Sequence, residues 1–311
     1  MEMPDASSGK TILIAGPTAS GKSAVAFALA IERSAEIVNA DALQVYRDLK
    51  VLSARPSDEE RARIPHHLFG HVDAVRRYSV GEWLRAAKEI VADITGRGRD
   101  AIIVGGTGLY FRALEKGLAE IPDIDADTKR EAAARLDALG IEAFRAEVLS
   151  VDPAMAKLDP NDRQRHLRAF EVYQATGVCL SNWQMQDVAP ALTSIDARIV
   201  IEPPRELLYG EIDARFDRML AAGALDEARA LISRGLHPDL PAMKAVGAAE
   251  LMAHLRGEIS LDDARAAAQR NSRRLAKRQM TWLRRQMPDW PRADHVVVAD
   301  RRLREMLEAA S

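Results

Sequence analysis

Residues 11–23 read TILIAGPTASGKS, and this stretch decides the fold of the chain. Its first five residues are apolar or β-branched, which predicts a buried strand, and residues 22–32 follow as a predicted helix. Between them, residues 16–23 match the motif G-x-x-x-x-G-K-[ST] in full. A loop of this kind points its backbone N–H groups inward, where they can bind phosphate oxygens. We therefore expect a P-loop that binds a diphosphate or triphosphate group.

The consecutive residues of the P-loop are candidates for phosphate binding. The Lys22 ammonium would contact the phosphate as a point charge, and the Ser23 hydroxyl would ligate Mg²⁺. Mg²⁺ is thus the cofactor that the motif predicts. The full predicted phosphate site comprises Gly16, Pro17, Thr18, Ala19, Ser20, Gly21, Lys22 and Ser23.

Further apolar segments predict a parallel sheet. They lie at residues 36–40, 100–105, 198–202 and 295–299, and helical patterns separate them. That alternation favours parallel strands joined by crossover helices. The predicted fold class is α/β, with a P-loop NTPase-like parallel sheet, flanking helices and an all-helical insertion domain. The predicted catalytic core is residues 1–115 and 197–311.

The insertion is predicted at residues 116–196, where we find no convincing strand. Apolar residues recur there at helical spacing. One predicted helix, over residues 163–175, has clear start and stop signals in the sequence. Asp159 and Pro160 are expected to begin it, and Gly177 is expected to end it.

Composition limits the classes of protein to consider. The chain has 311 residues and a net charge of −2, so any nucleic-acid contact must come from local clusters of basic residues. The single cysteine, Cys179, cannot form an internal disulfide. No apolar run approaches the roughly 18 residues of a membrane helix, and the N-terminus lacks the apolar region of a secretory signal. We expect a cytoplasmic protein with no membrane partner.

Candidate catalytic residues follow the predicted strands. Asp41 comes directly after the second strand, where it would act as a base or a Mg²⁺ ligand, or would cap the following helix. Thr107 lies in a second glycine-rich loop, GGTG, as a phosphate or metal ligand or as a cap. The strand before that loop ends without a carboxylate, which weakens ATPase and GTPase hypotheses. For Arg215, the residues alone favour an exposed ion pair.

Two basic clusters are typical of nucleic-acid contacts. Residues 162–168 read DRQRHLR, and residues 270–285 read RNSRRLAKRQMTWLRR with no acidic residue among them. A helix over the second cluster would place most of its cations along one face, where they could neutralise several phosphates. Glutamines at 164 and 279 could hydrogen-bond RNA backbone or bases. The alternative for either cluster is a solvated helix face.

The ordered set of motifs resembles bacterial tRNA dimethylallyltransferases (tRNA isopentenyltransferases, the IPP transferase family). The matching segments span about residues 10–287, nearly the whole chain. The P-loop is shared by many families, but its combination with the later motifs is highly specific. These motifs are GPTASGKS, DALQVYRDL, PHHLFGHVD followed by YSVGEW, GGTGLYFRAL, DRQRHLRAFEVYQATG, AVGAAEL and KRQMTWLRRQ.

The resemblance implies transfer of a dimethylallyl group from dimethylallyl diphosphate to N6 of the adenosine just 3′ of the anticodon in tRNA. It implies Asp41 as the catalytic base. It also implies Thr107, Arg215 and Mg²⁺ on Ser23 as partners of the departing diphosphate, so Arg215 becomes a catalytic cation. The partners are the tRNA anticodon stem-loop, clasped by the insertion, and the prenyl donor. A monomer is expected.

The resemblance also implies a set of tRNA contacts. In one place this chain departs from the family pattern, because Gly247 is followed by Ala248 and Ala249 where family members often carry a large and then a basic residue. The implied contacts are Asp41, Ala42, Leu43, Gln44, Gln164, Arg165, Arg168, Lys244, Gly247, Lys277, Arg278, Gln279, Trp282 and Arg284.

Three other hypotheses compete. An adenylate-type isopentenyltransferase would use a free nucleotide, for which neither the insertion nor the basic C-terminal helix is needed. A small-molecule kinase would use Asp41 to activate a hydroxyl and the P-loop to bind ATP. A non-catalytic RNA-binding protein would give Lys22, Asp41 and Arg215 no reason to converge.

Overall fold

A computed structural model describes residues 9–309, and its sheet forms around the strand that precedes the P-loop. Within those residues six strands form one parallel sheet in the order β3-β2-β4-β1-β5-β6. The predicted α/β fold class is therefore confirmed. The strands are β1 (Thr11–Ala15), β2 (Glu36–Asn39), β3 (His66–His67), β4 (Ala101–Gly105), β5 (Ala197–Ile201) and β6 (Arg292–Ala293).

Twelve α-helices accompany the strands in the described part of the chain. Residues 9–309 include no helix long and apolar enough to cross a membrane. Short 3-10 helices occupy Pro153–Lys157 and Pro241–Lys244. The α-helices are α1 (Lys22–Arg33), α2 (Asp58–Arg63), α3 (Val80–Gly96), α4 (Gly108–Lys116), α5 (Ala126–Val151), α6 (Arg163–Thr176), α7 (Leu180–Gln184), α8 (Arg205–Ala221), α9 (Ala224–Ser233), α10 (Ala248–Leu255), α11 (Leu261–Gln286) and α12 (Val296–Ala309).

The chain divides into two compact units. One extends to Glu115 and resumes at Ala191, and it contains the whole sheet. Its core packs one face of the strands against α1 and α12, with residues such as Ile12 and Ile102 fully buried. At its junction with the intervening segment, the backbone N–H groups of Ala191 and Leu192 both donate to Leu114 O, at 3.0 and 3.2 Å.

The second unit, Lys116–Pro190, contains α5, α6 and α7. Its own core includes Phe144 and Phe170, whose ring centroids lie 5.0 Å apart. Gly140 interrupts α5 with a φ of 73°, so the two halves of that helix are separate segments. The second unit therefore buries its apolar residues within a small helical core.

The prediction of a strand at residues 295–299 is wrong, because α12 begins at Val296. Three consecutive valines favour a strand locally, but Ala299, Leu303 and Leu307 recur at helical spacing and are buried in the sheet-containing core. The short edge strand β6 lies just before that helix, with Arg292 opposite Val200. Tertiary packing thus overrides the local β-propensity of the valines.

The predicted cap of α6 is also wrong, although the helix begins at Arg163 as predicted. The cap is Asp162, whose carboxylate accepts a hydrogen bond from Arg165 N at 3.0 Å. Asp159 instead accepts from Asn161 N, in the turn that precedes the helix. The predicted end is confirmed, since Gly177 closes α6 with a φ of 69°.

The order of the strands positions the site. Strand β4 lies between β2 and β1, with Asn39 opposite Val104 and Ala15 opposite Gly105. The carboxyl ends of these three parallel strands therefore lie side by side. The loops that follow them carry the P-loop, Asp41 and Thr107.

Candidate active site

Thr107 joins two of the loops at this edge of the sheet. Its N–H donates to Ala40 O at 3.1 Å, and its hydroxyl accepts from Ala42 N at 2.9 Å. The approach is close enough that a Cβ at Gly105 would lie 2.0 Å from Ala40 O, so this position requires glycine. The hydroxyl proton of Thr107 remains able to donate to a bound oxygen.

Asp41 keeps one carboxylate oxygen without a hydrogen bond in residues 9–309. Its Oδ1 accepts from Leu43 N at 2.9 Å. Its Oδ2 lies beside the second glycine loop, because a Cβ built on Gly106 would be 3.5 Å from that oxygen. Capping of the local turn therefore uses only Oδ1 of Asp41. The other oxygen, Oδ2, lies beside the loop that contains Gly106.

Asn39 holds the backbone of Asp41, and sequence analysis missed this residue. Asn39 is fully buried; its Oδ1 accepts from Asp41 N at 2.8 Å, and its Nδ2 donates to Asp41 O at 3.0 Å. Trp83 Nε1 in turn donates to Asn39 O at 2.8 Å, and the Trp83 ring stacks on Tyr110 at 4.0 Å between centroids. The available signal was an asparagine at the end of an otherwise apolar strand.

Lys22 and Arg215 approach the same place as Asp41. Burial lowers the pKa of Lys22 to about 8, a shift that Asp41 opposes and Arg215 reinforces. Burial likewise lowers the pKa of Arg215, again opposed by Asp41. Lys22 Nζ donates to Pro17 O at 3.0 Å within the P-loop. One carboxylate and two desolvated cations therefore share an electrostatic environment at the P-loop.

Arg215 forms no ion pair within residues 9–309. Its guanidinium donates to Thr18 Oγ1 at 3.0 Å, and it lies 3.5 Å from Ser53 O. The exposed ion pair that the residues alone favoured is thus wrong for this position. Arg218, one turn later in α8, does form such a pair with Glu211 at 3.3 Å.

Helix α11 contacts both glycine-rich loops through Gln279. Its Oε1 accepts from Thr18 N at 2.9 Å, and its Nε2 donates to Gly106 O at 3.0 Å. Three residues later, the Trp282 ring lies against Gly108, where a Cβ would come within 2.1 Å of it. Two of the predicted tRNA-contacting residues therefore pack on the two glycine-rich loops.

The other predicted residues of α11 face solvent. Lys277 and Arg278 are exposed and form no ion pair in the described chain, whereas Arg284 pairs with Glu202 at 2.5 Å. Only part of the basic face predicted for this helix is therefore without ion pairs to acidic side chains. Lys277 and Arg278 are its unneutralised part among the predicted contacts.

Helix α6 carries the predicted contacts of the helical unit. Gln164 is exposed. Arg165 pairs with Asp162 at 3.4 Å, and Arg168 pairs with Glu171 at 3.6 Å. Arg165 is thus paired with the cap residue of α6, and Arg168 with an acidic side chain of the same helix.

The remaining predicted contacts lie in loops of the sheet-containing unit. Lys244 is exposed and pairs with Asp239 at 3.2 Å. Gly247 is buried and begins α10 with a φ of 93°. Gln44 turns inward, and its Nε2 donates to Ser53 O and Ala54 O at 3.0 Å. Ala42 and Leu43 are half-buried between Asp41 and Gln44.

Glu227 of α9 is a second residue that sequence analysis missed. Its carboxylate accepts hydrogen bonds from three consecutive backbone N–H groups, those of Lys50, Val51 and Leu52, at 2.7, 2.7 and 2.9 Å. It therefore fixes the loop that also provides the Ser53 carbonyl near Arg215. No sequence pattern connects a glutamate on an ordinary amphipathic helix with a distant loop.

The residues around the P-loop fit a magnesium ion. Ser23 is exposed in the first turn of α1, and Asp41 has a free Oδ2 in the loop that follows β2. Hydroxyl and carboxylate oxygens are ligands that Mg²⁺ prefers, and it completes its shell with water and ligand phosphates. In residues 9–309 no group of three or more His, Cys, Asp or Glu side chains is arranged to hold a metal. The donor set therefore fits an ion held largely by the phosphates of a ligand.

Two family models match this chain. The model described as "IPP transferase" matches residues 44–286, and the model described as "Isopentenyl transferase" matches residues 9–65. A protein of Phenylobacterium zucineum named tRNA dimethylallyltransferase is 58% identical over 281 residues, which cover 90% of this chain and 91% of that protein.

Solved structures agree. The tRNA isopentenylpyrophosphate transferase of Bacillus halodurans is 31% identical, covers 97% of each chain and has a TM-score of 0.69. A eukaryotic dimethylallyltransferase, whose structures describe it acting on tRNA, is 27% identical with a TM-score of 0.80, covering 96% of this chain and 77% of that one. With a family model spanning most of its length and relatives at this identity, the chain belongs to the IPP transferase family.

Proposed function

We propose that this chain transfers a dimethylallyl group from dimethylallyl diphosphate to N6 of the adenosine 3′-adjacent to the anticodon in tRNA. The products are N6-(dimethylallyl)adenosine and diphosphate. The observation that carries the proposal is that Asp41, whose Oδ2 is free, interacts electrostatically with both Lys22 and Arg215 at the P-loop. A base and two cations at one place suit a reaction that removes a proton and releases an anion.

Asp41 acts as the base in this proposal. The exocyclic amine of adenine is a poor nucleophile because its lone pair is delocalised into the ring. As the new C–N bond forms, Oδ2 accepts the proton that N6 loses, which lowers the barrier. Asn39 holds the Asp41 backbone at both its N–H and its C=O, so the carboxylate is oriented before the substrate arrives.

Lys22 and Arg215 stabilise the leaving group. The bond between the prenyl carbon and the bridging oxygen of the donor breaks, and negative charge grows on the departing diphosphate. Cations directed at that charge in a desolvated site stabilise the transition state more than they would in water. The P-loop N–H groups bind the other phosphate oxygens, and the Thr107 hydroxyl donates to one of them.

Mg²⁺, held by Ser23 and the donor's phosphates, would neutralise part of the diphosphate charge when bound. The target adenosine must leave its stack to reach Asp41, so base flipping is expected. We also assign the anticodon stem-loop as the partner of the Lys116–Pro190 unit, and a monomer as the active form.

The competing hypotheses leave features of the chain unexplained. A transferase that uses a free nucleotide needs neither the helical unit nor the exposed Lys277 and Arg278 of α11. A small-molecule kinase does not need them either. A non-catalytic RNA-binding protein would not require two half-buried, desolvated cations near Asp41, because their desolvation costs free energy unless a ligand uses their charge.

One assay separates these functions. The protein is incubated with labelled dimethylallyl diphosphate, Mg²⁺ and either unmodified tRNA or AMP, and parallel reactions contain γ-labelled ATP. We expect prenyl label in tRNA alone. Label in AMP would establish the free-nucleotide enzyme instead. Transfer from ATP with no prenyl transfer would establish a kinase, and no transfer at all would favour an RNA-binding protein.

Substitution of Asp41 tests the proposed base. Asp41→Asn keeps an acceptor for Leu43 N but cannot accept the N6 proton, so we expect kcat to fall by about 10² to 10⁴. The dissociation constant for tRNA should change by less than about threefold, because the amide preserves the local turn. Asp226→Asn, at an exposed position of α9, is the matched control. Near-normal turnover of Asp41→Asn would remove Asp41 from the role of base.

A further inference from the structure

A basic cleft lies on the sheet-containing unit outside the site described above. It has a volume of about 270 Å³, and we name it the Arg55 cleft. Its walls come from the loop between β2 and α2, from α2 itself and from the turn after β3. Four of its lining side chains are cationic and one is a carboxylate: Arg47, Lys50, Arg55 and Arg61, with Asp58.

Most of the positive charge of the Arg55 cleft is not neutralised by protein. Lys50 pairs with Asp58 at 2.7 Å. Arg47, Arg55 and Arg61 form no ion pair within residues 9–309, in a chain whose arginines are widely paired with carboxylates and whose net charge is −2. Three arginines without an ion pair around one cleft repel one another, and an anion between them would relieve that repulsion.

Arg55 is held in a fixed position with part of its donor capacity unused. Its Nη2 donates to Arg47 O at 3.0 Å, whereas its Nε is buried without an acceptor. The guanidinium lies so close to Gly70 that a Cβ there would come within 1.4 Å of Nη1. Burial lowers the pKa of Arg55, and the nearby carboxylates of Glu227, Asp58 and Asp48 act in the opposite direction. A buried guanidinium nitrogen with no acceptor points to a ligand that supplies one.

The cleft adjoins the segment proposed to contact the substrate base. Gln44 Nε2 donates to Ser53 O and Ala54 O, directly before Arg55, and Gly70 N donates to Gln44 O at 2.9 Å. Gln44 itself is only three residues after Asp41. The loop is also fixed from the other side by Glu227, which accepts from Lys50 N. The Arg55 cleft is thus built on the same rigid loop as the site of the reaction.

We propose that the Arg55 cleft binds a backbone phosphate of the RNA substrate, on the strand that delivers the adenosine to Asp41. The proposal rests on the function proposed above. A phosphodiester matches the planar donors of Arg55, and the exposed side chains of Arg47 and Arg61 reach the same anion. A phosphate held here fixes the strand close to the flipped nucleotide.

The experiment compares Arg55→Gln and Arg61→Gln with Arg63→Gln, a matched exposed arginine of α2 that does not line the cleft. Binding of an unmodified anticodon stem-loop RNA is measured at several NaCl concentrations. Prenyl transfer to tRNA is measured on the same preparations, with thermal unfolding as the check of folding. We expect each cleft variant to weaken RNA binding about threefold to tenfold and to reduce the salt dependence of log Kd by about one. The KM for dimethylallyl diphosphate should not change.

The outcomes are distinct. Wild-type salt dependence in Arg61→Gln, whose exposed position leaves folding intact, together with the same result for Arg55→Gln if it folds, would overturn the proposal. Equal losses in Arg63→Gln would also overturn it, because they would show a general charge effect. A second arm titrates inorganic phosphate and diphosphate into RNA-free protein; binding that Arg55→Gln abolishes, with RNA affinity unchanged, would assign the cleft to a free anion instead. Failure of wild-type protein to prenylate tRNA would count against the proposed function, not against the cleft.

Discussion

Lys22 and Arg215 differ from Lys277 and Arg278 in what surrounds their charges. The first two are desolvated at the P-loop, and burial lowers the pKa of each. The second two lie exposed on α11 without an ion pair in the described chain. All four were singled out from the sequence as contacts of anions. Their surroundings divide them into cations that act on one bound phosphate group and cations that act on a long, hydrated polyanion.

This difference in burial determines how strongly each cation interacts with a phosphate group. A buried cation is held in one position by neighbouring groups, as Arg215 is by Thr18 Oγ1 and Ser53 O, and it interacts strongly with a charge that develops nearby. An exposed lysine keeps its water and its rotamer freedom, so each contact contributes modestly and salt screens it. Substitutions in the two groups should therefore differ in size and in salt dependence.

Loss of the Arg215 charge is expected to have the largest effect. Arg215→Gln should reduce kcat/KM about 10² to 10³-fold, as removal of one transition-state donor does elsewhere. Steady-state kinetics with saturating tRNA measure it. Arg218→Gln is the control on the same helix, because Arg218 forms an exposed ion pair with Glu211 and should change activity less than about twofold. Similar losses in both variants would contradict the distinction between buried and exposed cations.

The pKa of Lys22 predicts how donor affinity depends on pH. Because the free protein has a Lys22 pKa of about 8, its ammonium loses its proton as the pH rises through that value. A bound diphosphate favours the charged form, so the Kd for dimethylallyl diphosphate should increase above about pH 8, by up to about tenfold per pH unit. Calorimetric titration without tRNA measures it. Lys22→Arg stays charged and should show no such increase; an equal increase in this variant would assign the effect to another group.

Loss of the two exposed cations should have a smaller effect that depends on salt. Lys277→Gln combined with Arg278→Gln should weaken tRNA binding about tenfold and reduce the salt dependence of log Kd by about two. The KM for dimethylallyl diphosphate should remain unchanged, because neither side chain contacts the P-loop. Filter binding over a range of salt concentrations tests both expectations.

The matched comparison is Arg165→Gln with Arg168→Gln on α6. Both arginines have acidic partners on their own helix, so less of their charge is available to RNA and the change in salt dependence should be smaller. If the salt dependence of log Kd changed more in the α6 variant than in the α11 variant, α6 would be the stronger RNA contact and the expectation would be wrong.

The sequence was sufficient to predict the α/β class and the three loops of the site, because each loop follows a strongly apolar strand. It failed where long-range packing decided the local structure. The valines at 296–298 have the β-branched side chains of a strand, but burial of Leu303 and Leu307 against the sheet makes the segment a helix. Asp162 replaced Asp159 as the cap of α6 because both residues suit a helix beginning, and only the turn geometry selects between them.

Prediction of the site from the sequence is limited in the same way by long-range contacts. The P-loop, Asp41 and Thr107 have local signatures, and the structure brings them together. Asn39 and Glu227 do not have such signatures, because their roles depend on partners that only the fold brings near. Gln279 had been assigned to tRNA on its basic surroundings. Its contacts with Thr18 N and Gly106 O could not be predicted from a helix pattern, since they depend on how α11 packs over the loops.

The carbonyl of Leu114 receives hydrogen bonds from both Ala191 and Leu192. The chain thus returns, after the whole helical unit, to the residue from which it departed. With respect to the sheet, the segment Lys116–Pro190 is an insertion whose two ends are already held together at Leu114. Its length matters little for this connection, because the entropy of closing a loop grows only slowly with loop length. The join is therefore a natural cutting point for protein engineering. A short linker placed there should preserve the catalytic core.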